Sequence, residues 1–562
     1  MSNVTYEKWL NHPNMDEAMK KQLEAMTEKE IADAFYTNLE FGTAGMRGVL
    51  GPGCNRLNVY TIRKANVGFA KYLLENTDYK KGVAIGYDNR HFSYEFAMES
   101  ARVLASYNIP SYVFTSLRPT PELSYAVRYL ECAGGIVVTA SHNPKEYNGY
   151  KLYDERGCQL VPALMDKVIA AVNEVEDELA ITVNLTAEQE ALIHMIDKSV
   201  DDPYVEEVKK IQLHADMDKS NLKVVFTPQH GTARVLVERV LTETGYDYIL
   251  VKEQAEPDPD FSNTLTPNPE EKDAYKLALE YCEKYGADIA IATDPDADRV
   301  GVIVNQNGEY HLMSGNQTGS VLLNYVFESH KNAGTMPENP VMFNTVVTSD
   351  LGEKVANKYG VECEKTLTGF KFIGSKIYEH ETNKDKNFVF GYEESYGYLI
   401  QPFVRDKDAV QACLIISECA NYYKAQGKTL LDVLHELYAE FGAYEESQTS
   451  LTLKGEDGAK EIKRITSSLR ENHPAAIADV AVVRVEDYKK LEAYENNTVT
   501  KLVDFPSSDV LKFFLADGSW IAVRPSGTEP KCKFYFCVKG TTIDDAKTKT
   551  KAYQEFMKEI IK

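Results

Sequence analysis

The sequence predicts an α/β protein built from three similar units and closed by a smaller α+β module. Three observations carry that expectation. Short β-branched runs recur along the chain, among them VAI in KKGVAIGYD, IVV in GGIVVTA, KVVF in NLKVVFT, IAI in ADIAIAT and VMF in PVMFNTV, and helical patterns with short polar loops separate them. Such alternation is the mark of parallel strands covered by helices on both faces. At 562 residues the chain exceeds what a single core fills, and roughly three to five domains are expected. After about residue 448 the pattern changes to a helix, β-rich segments and a last helix.

In chain order, the first forty residues read as helix, with Thr27 to Glu30 (TEKE) fitting a capping box. GTAGMRGVLGPGCNRLN follows, with five glycines around Arg47; closely spaced glycines let backbone approach a ligand, and arginine suits a phosphate. The strand KKGVAIGYD ends in the polar turn NRHFS before a helix, and the loop SLRPTPE leads to the helix preceding GGIVVTASHNP. There a buried strand runs out at Ser141, where open α/β sheets bind ligands. Pro144 biases Asn143 away from helix and keeps the turn rigid, so Ser141 is a candidate nucleophile or phosphate carrier. From about Glu174 to Lys219 the chain is acidic, mostly helical in pattern and reads as a connection. NLKVVFTPQHGTA opens a second unit, and a third opens near Ser314.

The second unit carries Asp294-Pro295-Asp296-Ala297-Asp298-Arg299 at the end of an apolar strand. Carboxylates at i, i+2 and i+4 in looped or extended backbone face one side, as a hard divalent cation requires. A calcium EF-hand is excluded, because its sixth position would be Arg299 and its twelfth Asn305. Near the C-terminus, Arg524-Pro525-Ser526-Gly527-Thr528-Glu529-Pro530-Lys531 offers a guanidinium, two hydroxyls and a glycine-opened backbone, a set suited to a phosphate dianion. Gly427-Lys428-Thr429 is not a nucleotide-binding P-loop, since Tyr422 stands where its first glycine belongs.

Composition narrows the function. With 62 Lys and Arg against 85 Asp and Glu, the formal charge is −23, which excludes a general nucleic-acid binder but allows an anionic substrate in a locally basic cleft. Nine scattered cysteines with no CxxC pair exclude a zinc framework and fit a reduced, cytoplasmic setting. No apolar run reaches membrane length.

TASHNP, DPDADR, the Glu-Glu-Ser-X-Gly loop at Glu393 to Gly397 and RPSGTEPK, in that order over most of the chain, together resemble the α-D-phosphohexomutase superfamily. The resemblance implies four domains around a central cleft, placed at 1–205, 206–313, 314–447 and 448–562. It implies phosphoryl exchange between the 1- and 6-positions of a hexose phosphate, with phosphate carried on Ser141 and Mg²⁺ held by Ser141, Asp294, Asp296 and Asp298. Lys151 and Arg47 match the family's candidates for proton transfer and phosphoryl contact, and His142, read as a hydrogen-bond donor rather than a metal ligand, joins them and Ser141 as a catalytic candidate. Arg299, Thr368, Gly369, Lys371, Glu393 and Ser395 match its substrate-binding positions, and Arg524, Ser526, Gly527 and Thr528 its phosphate loop. The wording of TAGMRG and GFKFIG looks closer to the family's phosphoglucomutases and their phosphopentomutase relatives; the first implies a reaction that interconverts glucose 1-phosphate and glucose 6-phosphate, with glucose 1,6-bisphosphate as intermediate and activator. Pentose and mannose phosphates are the alternative substrates, and an inactive sugar-phosphate sensor is the rival class. Neither nucleic acid nor membrane is an expected partner, and a monomer or weak homodimer is. One departure bears on the sugar: Tyr392 stands where many members have glycine, which would alter backbone freedom and pocket volume.

Overall fold

The computed structural model describes residues 2–42, 45–453, 455–526 and 531–561. It divides into two compact units, one of Met1–Thr318, Pro337–Val341 and Gly369–Thr429, the other of Gly319–Met336, Met342–Thr368 and Leu430–Lys562.

The first unit contains two mixed sheets. Its strands are β1 (Phe41–Gly42), β2 (Gly45–Val49), β3 (Val83–Tyr87), β4 (Ser111–Phe114), β5 (Gly134–Val138), β6 (Tyr147–Asp154), β7 (Ile193–Ile196), β8 (Val224–Thr227), β9 (Tyr248–Leu250), β10 (Ile289–Thr293), β11 (Val300–Gln306) and β12 (Glu309–Leu312). The first sheet runs β1-β2-β6-β5-β3-β4-β7, and the second β12-β11-β10-β8-β9. In the first, β5, β3, β4 and β7 are parallel and β6 returns antiparallel to β5, pairing Ile136 with Leu152 and Val137 with Lys151. In the second, β8, β9 and β10 are parallel and β11 returns antiparallel to β10, from Thr293 opposite Val300 onward. The β-branched runs are buried from end to end in β3, β5, β8 and β10, as parallel strands covered on both faces require. A further antiparallel hairpin belongs to this unit: β15 (Asn387–Glu393) and β16 (Gly397–Leu399) pair Glu393 with Gly397.

Two stretches differ from the reading of the sequence. The N-terminal forty residues form three short helices, Ser2–Leu10, Glu17–Ala25 and Glu28–Phe35. Pro13 and the Asp16 cap, which accepts from the amides of Ala18 and Met19, end one helix and start the next. Thr27 and Glu30 do form the expected capping box. Trp9, Phe35, Leu23 and Tyr60 make a satellite core beneath these helices, and Trp9 donates its indole N–H to Glu178. The acidic connection is likewise only partly helical: Ile193–Ile196 is β7, added parallel to the edge of β4. Its main-chain bonds to an existing sheet edge override the helical pattern around it.

The second unit contains β13 (Pro340–Thr345) in part, β14 (Glu362–Thr366) and the C-terminal sheet. That sheet comprises β17 (Ala443–Thr452), β18 (Ala476–Ile477), β19 (Val480–Asp487), β20 (Glu492–Glu495), β21 (Thr498–Lys501), β22 (Leu511–Leu515), β23 (Trp520–Pro525) and β24 (Lys531–Gly540). The order is β17-β24-β23-β22-β19-β20-β21, with β18 on β19 and antiparallel pairing throughout. The helices Gly455–Glu471 and Ile543–Ile560 cover it, burying Ile462, Ile465, Leu469, Tyr553 and Met557 against Phe513, Ile521, Val523, Phe534 and Phe536. No helix among the described residues is long and apolar enough to cross a membrane.

Candidate active site

Three loops of the first unit occupy the same topological place. Each leaves a strand and returns antiparallel: β5 to β6 through Ser141, β10 to β11 through Asp294 to Arg299, and β15 to β16 through Glu394 to Tyr396. Each also holds one non-glycine residue in the left-handed region, Ser141 at φ 52°, Ala297 at φ 54° and Tyr396 at φ 64°. Backbone of that kind costs energy and persists where surrounding contacts over-determine it.

At Ser141 those contacts are visible. The buried Arg90 guanidinium donates to the carbonyls of Ser141 (2.7 Å), Asn143, Pro144 (2.9 Å) and Tyr147 (3.0 Å), gathering the whole turn. The Ser141 amide donates to Thr139 Oγ1 at 2.8 Å. The side chain is thereby aimed at the second sheet: Ser141 Oγ donates to Asp294 Oδ2 at 2.8 Å and lies 3.1 Å from His142 Nδ1. Burial, reinforced by Arg299 and Arg47, holds the His142 imidazole well below its usual range, so the ring is neutral. Arg47, on β2 opposite Gly149, reaches Asn143 Oδ1 at 3.5 Å.

Asp294, Asp296 and Asp298 are all buried, and one carboxylate oxygen from each lies within 4.8 Å of the others. Asp294 Oδ1 accepts the amides of Asp298 and Arg299, a turn that folds the loop back on itself. Lys151, on β6, donates to Asp296 Oδ2 (2.7 Å) and Asp298 Oδ2 (3.3 Å), and Lys407 lies 3.2 Å from Asp298 Oδ2. Burial raises Asp294 well above the usual carboxylate range, with Asp296 and Asp298 adding to it. Asp298 moves the other way: against its burial, Lys407, Lys151 and Arg299 hold it far down. Lys151 stays above its ordinary value despite burial because the two aspartates face it; it is an ammonium, able to give a proton and not to take one. Asp296 Oδ1 and Asp298 Oδ1 are buried without a hydrogen-bond partner. Unpartnered oxygens of adjacent buried carboxylates are donors for a hard divalent cation, so these residues fit one.

Arg299 pairs with Glu270 at 2.5 Å. Glu393, at the end of β15, accepts the amide of Gly369 at 2.7 Å; burial, with Glu394 beside it, pushes Glu393 up to about 7 against the pull of Lys407. Gly369, at φ 118°, opens the helix Phe370–Asn383, whose first turn carries the buried Lys371. Ser395 is half-buried in the β15–β16 turn. Thr368, Arg524 and Ser526 belong to the second unit; Arg524 sits at the end of β23 opposite Lys533, and the Ser526 amide donates to Lys531 O at 2.7 Å. Gly527 and Thr528 lie outside the described residues.

Tyr392 does not act as the sequence reading expected. It is fully buried, lies in β15 opposite Tyr398 with its ring centroid 6.0 Å from that of Phe390, and is absent from the positive-φ residues. Side chains alternate along a strand, so with Glu393 facing the Gly369 loop, Tyr392 points to the other face, into the core. Four polar residues that the sequence reading missed complete the site: Arg90, Thr120, Glu270 and Lys407.

Comparison with known proteins agrees with this arrangement. Residues 38–179, 202–308 and 314–441 match the phosphoglucomutase/phosphomannomutase alpha/beta/alpha domains I, II and III, and residues 462–542 match the C-terminal domain. A phosphoglucomutase of Staphylococcus aureus (strain MRSA252) is 39% identical over 555 residues, covering 98% of this chain and 99% of its own. That of strain USA300 is 38% identical over the same length. Two crystal structures share the fold: a phosphoglucomutase/phosphomannomutase family protein of Burkholderia thailandensis (TM-score 0.67, 18% identity, 92% of this chain and 97% of that one) and the open form of parafusin, a phosphoglucomutase of Paramecium (TM-score 0.67, 19% identity, 93% and 95%). With all four of its domains matched in order and relatives aligned almost end to end, the chain belongs to the phosphoglucomutase/phosphomannomutase family.

Proposed function

We propose that the protein is a phosphoglucomutase, interconverting glucose 1-phosphate and glucose 6-phosphate through phospho-Ser141 and a glucose 1,6-bisphosphate intermediate that also primes it. The observation that carries the reading is the Ser141 hydroxyl, fixed by a strained turn 2.8 Å from a buried aspartate of a three-carboxylate cluster. Near full-length relatedness to phosphoglucomutases supports the choice of glucose. The segments matched to the family, ending at 179, 308 and 441, support domain boundaries near 205, 313 and 447.

In the first half-reaction a free sugar hydroxyl attacks phosphorus, its O–P bond forms, the P–Oγ bond of phospho-Ser141 breaks, and the proton lost by the sugar is balanced by one taken up at Ser141 Oγ. The second half-reaction reverses this with the other phosphate of the bisphosphate. Ser141 Oγ must then give up its proton as it attacks, and Asp294 Oδ2, which accepts that hydroxyl at 2.8 Å, is positioned to take it, with His142 Nδ1 3.1 Å from the same oxygen. Lys151, Lys407 and Arg299 bring fixed positive charge to a site that must hold three carboxylates beside a phosphoryl group. Mg²⁺ held by Asp294, Asp296, Asp298 and the serine phosphate would neutralise the charge on the transferring group when bound. Glu393, Ser395 and Lys371 would face the sugar hydroxyls, and the Arg524 loop would hold the phosphate not being transferred.

The test is a paired assay of wild type and Ser141→Ala with Mg²⁺ and a trace of glucose 1,6-bisphosphate, on glucose 1-phosphate and on ribose 1-phosphate. Glucose 6-phosphate formation that falls by at least about 10³-fold in the variant is expected. Faster ribose 5-phosphate formation would reassign the sugar, and an unimpaired variant would end the phosphoserine reading.

A further inference from the structure

The donors around the three aspartates follow a pattern: in each carboxylate one oxygen is saturated by the protein. Asp294 Oδ1 takes two amides, Asp298 Oδ2 faces Lys151 and Lys407, and Asp296 Oδ2 takes Lys151 and the hydroxyl of Thr120. What remains is Asp294 Oδ2, bonded to Ser141, and Asp296 Oδ1 and Asp298 Oδ1, which accept no hydrogen bond, Asp298 Oδ1 lying 3.9 Å from Arg299 Nε. The Thr120 contact is double. Its Oγ1 donates to Asp296 Oδ2 at 2.8 Å, and its amide donates to the Asp296 carbonyl at 2.8 Å. Thr120 opens the helix Thr120–Tyr129 directly after Pro119, so its amide is one of the first-turn donors with no acceptor inside the helix, and the metal loop supplies one. The residue is fully buried, and the loop before it is fixed by Arg118, which donates to both oxygens of Asp201.

We propose that Thr120 is a positioning residue that sets the rotamer of Asp296, holding Oδ2 back so that Oδ1 alone is presented to a divalent cation. This rests on the reading of the aspartate cluster as a cation site. A carboxylate pinned by two donors enters coordination already oriented, and such outer partners typically change metal affinity by about 10- to 100-fold. Thr120 does this across a sequence separation of 176 residues, joining the first sheet's helix to the second sheet's loop.

The experiment measures Mn²⁺ and Mg²⁺ binding to the whole protein by calorimetry, with no turnover involved, in wild type, Thr120→Val, Thr120→Ser and Asp298→Asn. Valine keeps shape and the amide contact and loses only the hydroxyl; serine keeps the hydroxyl. Thr120→Val is expected to weaken binding by about 10- to 100-fold, Thr120→Ser to stay near wild type, and the lost kcat of Thr120→Val to return as Mg²⁺ is raised. Wild-type affinity in Thr120→Val, with binding lost in Asp298→Asn, would overturn the inference and leave the cation site standing. Equal losses in the serine and valine variants would also overturn it, by assigning the effect to packing of the methyl group. Absence of binding in wild type would overturn both the inference and the cation reading beneath it.

Discussion

Lys512 provides a stability prediction that is independent of the active site. It lies on β22, is 1% exposed, and its Nζ donates to Val346 O at 2.8 Å while sitting 4.0 Å from the centroid of the Trp520 ring and 4.7 Å from that of Phe514. Asp350 and Lys365 are near enough to act on it in opposite senses, but no carboxylate of a described residue lies within 4 Å, and burial pulls the ammonium from 10.5 down to about 8. Between those values the unfolded chain binds a proton that the folded chain has released. Stability contributed by this residue therefore rises with pH from about 8 towards 10.5, and the penalty for burying the charge is fully present below about 8. At 1.36 kcal/mol per unit, the shift of about 2.5 units corresponds to a little over 3 kcal/mol, of which about 2 kcal/mol accrues between about pH 7.5 and pH 9.5. The assay is urea unfolding at both pH values, followed by Trp520 fluorescence in a Trp9→Phe background, which leaves one tryptophan to report on the second unit. The parent should gain about 2 kcal/mol over that interval relative to the same chain carrying Lys512→Met, which has nothing to titrate there. Parallel pH dependences in the two proteins would refute the claim that Lys512 is buried without a matched counter-charge.

Two further outcomes follow from backbone contacts. Arg90 gathers four carbonyls of the Ser141 turn, a task beyond the single ammonium of lysine, so Arg90→Lys should leave the protein folded by circular dichroism and lower kcat by about 100-fold, the scale expected for misplacement of a reacting atom by about 1 Å. A Cβ on Gly231 would lie 2.5 Å from Pro295 Cα and 2.6 Å from Pro295 O, so Gly231→Ala must push the metal loop away; a stability loss of about 1–3 kcal/mol in urea, together with weakened Mn²⁺ binding, is expected. Unchanged cation affinity in that variant would show that the loop yields without moving its aspartates.

The site's chemistry was legible where it was local. Three aspartates at alternate positions, a serine running out of an apolar strand and an arginine among glycines are patterns within a few residues of one another. Arg90, Thr120, Glu270 and Lys407 carry no such signal, because each is a single polar residue in an ordinary loop or helix start whose partner is 29 to 176 positions away. The buried parallel strands were equally plain from their β-branched runs, whereas β7 is four residues long with two of them exposed, and only the edge of β4 makes it a strand. The N-terminal helices show the reverse limit: helix propensity was read correctly, but Pro13 with the Asp16 cap makes one break and the Thr27 cap another, cutting one expected helix into three. Tyr392 is the clearest lesson in physical terms. Its place in the motif suggested the pocket, and the two-residue alternation of the strand sends it to the opposite face.

The three left-handed residues at Ser141, Ala297 and Tyr396 have a consequence for how such a protein can change. Each stands at the tip of a hairpin whose two arms are paired in register along the main chain, β5 with β6, β10 with β11, and β15 with β16. The arms impose no sequence on the tip beyond a backbone reversal, so a nucleophile, a cluster of acids and a sugar-facing carboxylate can occupy equivalent sockets of the same scaffold. Chemistry can then be rewritten at one tip while the strand pairings that carry it, and the other two tips, keep their register.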